Sequence, residues 1–343
     1  MLTIKENYSL REHNSFGLDV KARYFVEYES EEDLVKFLSE TDTAGLPMFH
    51  IGSGSDLLFT KDYDGYLLHS AVRGVEVAGN DGDNAVLVVG AAEIWDDFVQ
   101  WTISNGYYGL ENMSLIPSEV GAAVVQNIGA YGTEVKDYIV CVDCVDLRDG
   151  SIVSFSAEDC GFDYRHSHFK GQWRGWYAVT RVTFSLPIRF IPNLHYRGLM
   201  ELPQEGLTAQ AVRDAVISMR KSKLPDPSVL GNAGSFFLNP IISLDKYESL
   251  RQQYPDIPHF PVPSTGGTLN AVGEVKVPAA WLIEHAGWKG RSLGRAGVYE
   301  FQPLVLVNLG GATPDEIVTL AARIIDDVSR KFGITLKPEA IYI

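Results

Sequence analysis

The sequence predicts a mixed α/β or α+β protein. Helical and strand-like hydrophobic patterns alternate along the chain, and neither an internal repeat nor a low-complexity tract interrupts them. A length of 343 residues suggests two or three domains. The first segment, 1–70, opens with a strand at 22–28. A helix follows from Ser30, with Asp33 three residues on in capping-box spacing and Leu34, Val35, Phe37 and Leu38 on its apolar face. A short strand at 48–51 then runs directly into Gly52-Ser-Gly-Ser-Asp56.

The second segment, 71–221, is richer in strands, clearest at 86–89 and 177–186. A helix at 91–104 carries Ile94, Phe98 and Trp101 and stops at Asn105-Gly106. Another, at 208–221, puts Val212, Ala215, Val216 and Met219 on one face before Leu224-Pro225 ends it. The third segment, 222–332, opens on a Pro and Gly cluster and carries helices at 244–254, 279–286 and 314–331. The last has Thr313 as cap, Pro314 at its first position and Glu316 third. The tail, 333–343, reads as a short closing strand.

Several functions are disfavoured. A formal net charge of −15 repels nucleic acid and anionic membrane, so an anionic substrate needs locally placed Arg and Lys. No stretch approaches the ~18–20 apolar residues of a membrane span. The first ten residues hold Lys5, Glu6 and Asn7 and lack the apolar core and cleavage site of a signal peptide, so a cytoplasmic location is expected. Cys141, Cys144 and Cys160 are too few for a disulfide framework. Cys141 and Cys144 form a C-x-x-C pair inside a strand-like run, where a spacing of three places them on opposite faces. Sheet packing is the expectation, and no metal site.

Three glycine-rich stretches carry the candidate chemistry. Gly52-Ser-Gly-Ser55 follows a strand, so its backbone N–H groups can approach a diphosphate without side-chain obstruction. It is neither a Walker A loop nor a G-x-G-x-x-G fingerprint, and by itself it also suits a plain tight turn. The stretch 116–132, with Gly121, Gly129, Gly132, Gln126 and Asn127, can lie against a flat cofactor or serve as a strand–turn–helix packing element. The third, Gly231-Asn-Ala-Gly-Ser-Phe-Phe-Leu-Asn-Pro240, sets Ser235 between glycines and aromatics, and no His follows at a hydrolase spacing. Tyr164-Arg165, the Arg220, Lys221 and Lys223 group just beyond a helix end, and Tyr196 between His195 and Arg197 each, taken alone, suit a solvated surface more often than a ligand.

Taken in order, these runs resemble the bacterial UDP-N-acetylenolpyruvoylglucosamine reductase (MurB) family over nearly the whole chain. The resemblance rests on Asn14-Ser-Phe-Gly17, Gly52–Ser55, Gln126-Asn-Ile-Gly-Ala-Tyr-Gly132, Tyr164-Arg165, Lys223-Leu-Pro-Asp-Pro227, Asn232-Ala-Gly-Ser-Phe-Phe237, Gln302 and Pro338-Glu339. It implies an α+β fold: a two-lobed FAD-binding unit of the vanillyl-alcohol-oxidase type (lobes 1–70 and 71–221, closed by 333–343) plus an α/β substrate-binding domain at 222–332. Non-covalent FAD would be held by Gly52, Ser53, Gly54, Ser55, Asp56, Pro117, Ser118, Gly121, Gln126, Asn127, Gly129 and Gly132. The Tyr196 loop and the length match the longer, type I form, in which Tyr131 and Tyr196 lie near the nucleotide sugar.

The resemblance also implies roles. Ser235 is the proton donor, Glu339 and Arg165 steady the enolic intermediate, and Tyr196, Lys223, Asn239, Gln302 and Tyr131 contact substrate. NADPH is the co-substrate, the substrate is UDP-N-acetylglucosamine enolpyruvate on the route to peptidoglycan, and the chain acts as a monomer. Three positions depart from the family pattern. Ser118 stands for a usual glycine, Asp56 for Asn, and Leu238 for a commoner polar residue. The rival classes are a flavin oxidase of the same fold, marked by oxygen use and often a covalent flavin, and a colourless nucleotide-sugar binding protein.

Overall fold

The computed structural model describes residues 1–43, 45–262 and 273–343. The chain divides into two compact units where the sequence suggests three segments. Unit 1 comprises Met1–Ser9, Lys21–Gly54 and Asp62–Lys221, which holds the expected second lobe and most of the first. Unit 2 comprises Leu10–Val20, Ser55–Lys61 and Ser222–Ile343, and so includes the closing tail. Backbone pairing explains where the tail goes: its strand Ile341–Tyr342 lies parallel to Leu57–Leu58 within unit 2.

Unit 1 contains two main sheets. In the first the order is Thr3–Ser9, Lys21–Tyr28, Tyr63–Ser70, Met48–Ile51; the first pair is antiparallel and the others parallel. Parallel neighbours require a crossover, and α1 (Glu31–Glu40) follows Lys21–Tyr28 and buries Leu34 and Phe37. The expected capping box is only half formed. Ser30 accepts from Asp33 N–H, but the Asp33 carboxylate takes the chain N-terminus and Glu29 N–H.

The second sheet is wholly antiparallel, in the order Ile152–Ser156, Ile139–Asp146, Tyr177–Pro187, Asn84–Gly90, Val75–Asp81. Here α2 (Trp95–Ser104) buries Trp95 and Phe98, whose rings meet each other and Phe184. It begins four residues later than the expected 91, because Ile94 bridges to Glu119 as extended backbone. A seven-residue helix, α3 (Val120–Gln126), lies inside the second glycine-rich stretch. A fork of the buried Arg213 on the half-buried Asp96, at 2.6 and 2.9 Å, joins α4 (Ala209–Lys223) to α2. Cys141 and Cys144 are free thiols within the second sheet, Cys144 fully buried, so the C-x-x-C spacing reflects sheet packing. Among the described residues no cluster of three metal-ligating side chains occurs, and no helix is long and apolar enough to cross a membrane.

Unit 2 is also mixed. An antiparallel sheet runs in the order Asn232–Ser235, Val305–Asn308, Ala296–Val298, Ser292–Leu293. Three helices accompany it: α5 (Leu244–Gln253), α6 (Ala279–His285) and α7 (Pro314–Phe332). The α7 start matches the sequence reading in full, with a reciprocal Thr313–Glu316 capping box and Pro314 at the first position. Ile317, Leu320, Ala321, Ile324 and Val328 are its buried stripe, and Gly333 at φ 64° ends it.

Two half-buried histidines in the first sheet of unit 1 give opposite pH signatures. His50 accepts or donates to Tyr28 Oη at 2.7 Å, and burial pushes its pKa down to about 3. The unfolded chain therefore protonates first, and stability falls as pH drops below the usual 6.5. His69 sits between Glu119 and Glu27, each at 3.1 Å. Burial disfavours its charge, but the bonds to Glu119 and Glu27 outweigh that and raise its pKa. Its contribution is present below the unfolded pKa and is lost as pH rises through the folded one. The thermal midpoint should therefore drop from about pH 7 to about pH 4, and His50→Gln should flatten part of that slope. An unaltered slope in His50→Gln would show that His50 does not titrate in unfolding.

Candidate active site

In unit 1 the strand Met48–Ile51 delivers Gly52 against the side of α3. A Cβ on Gly52 would stand 2.8 Å from Ala122 Cβ and 3.1 Å from Glu119 Oε2, so only glycine allows this approach. Gly54 adopts φ 72°, a left-handed conformation that also favours glycine. The two glycine-rich stretches are therefore one surface. Ser53 adds the sharpest feature: among the described residues, its Oγ is the buried side-chain polar atom with no hydrogen-bond partner. A buried hydroxyl without a partner costs about 1–3 kcal/mol, which a bound oxygen-rich ligand removes. This donor set and the glycine cradle fit FAD.

The rest of the expected cofactor set divides. Gly121 packs α3 onto Ala91, whose Cβ would lie 2.8 Å from an added Cβ. Gly129 is held close to Thr133 O, and Gly132 turns at φ 84°. Pro117 is exposed. Ser118 has no positive φ, so glycine is not required there; its Oγ donates to Glu119 O at 3.0 Å. Gln126 Oε1 accepts from Lys170 Nζ at 2.6 Å. Asn127 is 0% exposed, and its side chain donates to Glu134 Oε2 and Asp163 O and accepts from Lys136 N. Its side chain organises protein. Ser55 and Asp56 fall in unit 2, where Ser55 O accepts from Ser15 Oγ and Asp56 O from Ile341 N.

Arg165 is fixed by the same stretch. Its guanidinium donates to Asn127 O and Gly129 O, and its own backbone is left-handed at φ 53°. Leu115, Asn127 and Tyr131 share that uncommon conformation. Such strain concentrates at functional sites. Arg220, read in sequence only as a helix-end cation, donates Nε to Leu115 O at 3.2 Å. Burial pulls its pKa below the ordinary range, while Tyr131 and Asp96 favour its charge and Arg165 opposes it. Its position beside Tyr131 and Arg165 carried no sequence signal. Burial raises the Tyr131 phenol, against the pull of Arg220. The Tyr131 and Tyr196 rings meet edge to face with centroids 4.9 Å apart.

Unit 2 assembles a second group. Asn232 Oδ1 accepts from Gly234 N at 2.8 Å, and Gly234 turns at φ 67° just before Ser235. Phe236 and Phe237 are 0% and 1% exposed, so the half-buried Ser235 sits at the rim of an apolar wall. Glu339 N donates to Phe236 O at 2.8 Å, Phe237 bridges to Pro338, and Leu238 N donates to Lys337 O. This pairing joins the segment after Ser235 to the one that holds Glu339, with Glu339 opposite Phe236, although 104 residues separate Ser235 from Glu339 in sequence. The Asn14–Gly17 run supports the same strand: Asn232 N donates to Ser15 O, and Gly231 packs on Phe16 O too closely for a Cβ. Asn239 Oδ1 accepts from Ala279 N at 2.9 Å, and Gln302 Oε1 accepts weakly from Leu304 N. Lys223 is exposed.

Residues 22–156 match the family model described as an FAD binding domain. The chain is thus an FAD flavoprotein of α+β fold. Residues 226–343 match the model for the UDP-N-acetylenolpyruvoylglucosamine reductase C-terminal domain. The UDP-N-acetylenolpyruvoylglucosamine reductase of Porphyromonas gingivalis is 44% identical over 345 residues, covering 100% of both chains. That of Pseudomonas putida is 44% identical, covering 98% of this chain and 97% of its own. The chain belongs to the UDP-N-acetylenolpyruvoylglucosamine reductase family. The crystal structure of the Thermus caldophilus reductase shares the fold, with a TM-score of 0.67 at 22% identity over 100% of this chain and 98% of that one.

Proposed function

We propose that the chain uses NADPH to saturate the enolpyruvyl ether of UDP-N-acetylglucosamine enolpyruvate, giving UDP-N-acetylmuramate for peptidoglycan, as a cytoplasmic monomer. The observation that carries this reading is the 44% identity of the chain, over its whole length, to a named reductase, and the backbone pairing of the segment after Ser235 with the segment that holds Glu339 supports it. FAD, held by Gly52–Gly54 and the 117–132 stretch, supplies hydride transfer when bound.

Hydride addition at the terminal enolpyruvyl carbon builds negative charge on the neighbouring carbon and its carboxylate. Arg165 offers a charge-assisted bond there, and its anchorage on Asn127 O and Gly129 O means little reorganisation during reaction. Glu339 orients the enolic form, and the Ser235 hydroxyl supplies the proton. A serine hydroxyl is a weak acid, and Lys223 supports it electrostatically. Tyr131, Tyr196, Asn239 and Gln302 hold the nucleotide sugar. With Oδ1 engaged by Ala279 N, Asn239 presents Nδ2 as its donor.

Purified protein should be yellow, and acid precipitation should release the flavin into the supernatant. No dinucleotide fingerprint marks a separate NADPH site. NADPH and the UDP-sugar should therefore take turns, giving parallel initial-velocity lines. Intersecting lines with a stable ternary complex, or a flavin that stays with the precipitate, would contradict the reading.

A further inference from the structure

The hairpin that carries Tyr131 is clamped by two asparagine amides that the reaction itself does not use. Strands Gly129–Ala130 and Thr133–Glu134 pair through a two-residue turn, Tyr131-Gly132, with both residues left-handed at φ 50° and 84°. Turns of this type match the hairpin twist but favour Asn or Gly at the first position, so a tyrosine there must be held. Asn112, 1% exposed, donates Nδ2 to Tyr131 O and to Asn193 O, each at 2.9 Å. Asn193 in turn donates Nδ2 to Gly132 O at 3.0 Å and to Thr133 Oγ1 at 3.2 Å. Its Oδ1 accepts from His195 N at 3.3 Å, which turns the loop toward Tyr196. Tyr196, 41% exposed, then packs edge to face with Tyr131, the ring centroids 4.9 Å apart. The loop thus touches the turn through Asn193 and, three residues on, through Tyr196.

We propose that Asn193 is a positioning residue that sets the Tyr131–Tyr196 pair for a nucleoside-diphosphate sugar. The inference rests on the reading above that these two tyrosines contact that substrate. Asn193 acts through them: without its amide the loop keeps its sequence but loses its register on the turn, and the two phenols no longer present one fixed pair.

The test uses the FAD-loaded enzyme and UDP-N-acetylglucosamine enolpyruvate. Asn193→Ala should raise KM for the UDP-sugar ~10-fold, the worth of one to two hydrogen bonds. Its kcat and its rate of flavin bleaching at saturating NADPH should stay within about twofold. Asn193→Asp keeps the shape and the His195 contact but removes the donor, and should behave the same; Asn193→Ser, which restores a donor, should recover part of the KM. Tyr196→Ala should also raise KM, and adding Asn193→Ala to it should change little, because both act on one contact. An additive double variant, or a normal KM in Asn193→Ala and Asn193→Asp, overturns the proposal. So does loss of fold in both, which would make the clamp purely structural. An unchanged KM in Tyr196→Ala overturns it differently, by removing the tyrosine reading beneath it.

Discussion

Replacing Ser235 with Ala should slow recolouring of the reduced flavin by the enolpyruvyl sugar by ~10²–10⁴-fold, the usual worth of a positioned general acid. Bleaching by NADPH should change less than about twofold, because no proton is needed from the protein before the enolpyruvyl group arrives. The structural basis is local. Gly234 at φ 67° clears space beside Ser235, the buried Phe236 and Phe237 exclude water, and the segment that holds Glu339 is pinned to the next residue of the strand by Glu339 N–H on Phe236 O. Cysteine at 235 should recover part of the rate, since a thiol also donates a proton. Stopped-flow absorbance with each half-reaction run alone separates the alternatives. Equal slowing of both would give Ser235 a shaping role, and no slowing would make it a turn residue.

The second large effect falls on the cofactor. Gly52→Ala should weaken FAD binding roughly 5–150-fold, from the ~1–3 kcal/mol that overpacking costs. The added methyl would meet Ala122 Cβ at 2.8 Å, and that methyl stands on α3, where it cannot swing aside as a long side chain would. The turn must therefore move, and the Ser53 hydroxyl moves with it. Ala122→Gly in the same chain removes the opposing methyl and should recover most of the affinity. Titrating apoprotein with FAD by fluorescence reads both effects. Normal binding by Gly52→Ala alone would mean that this turn is not part of the cradle.

How much of this was legible in sequence varied with how local its cause is. Helix α7 announced itself because Thr313, Pro314 and Glu316 act within one turn of its start. The strand Met48–Ile51 and the glycine turn after it were equally local. The strands Thr3–Ser9 and Val75–Asp81 were not visible: both are mostly exposed and lack the alternation that marks a half-buried strand. The interleaving of the two units, with Leu10–Val20 and Ser55–Lys61 assigned to the second, is made by distant backbone bonds such as Asn232 N to Ser15 O. No periodicity encodes those. The candidate site follows the same rule. Ser235, Arg165 and Glu339 were identified by family resemblance. That Asn127 faces inward, and that Arg220 lies beside Tyr131, depended on tertiary packing.

The most direct test of the central claim is a two-step anaerobic experiment on purified protein. NADPH is added in one equivalent to bleach the flavin, and UDP-N-acetylglucosamine enolpyruvate is then mixed in with oxygen excluded. The account predicts that the flavin colour returns at least as fast as steady-state turnover, with one UDP-N-acetylmuramate formed per flavin. A flavin that stays bleached until oxygen is admitted, with no saturated sugar formed, would contradict it.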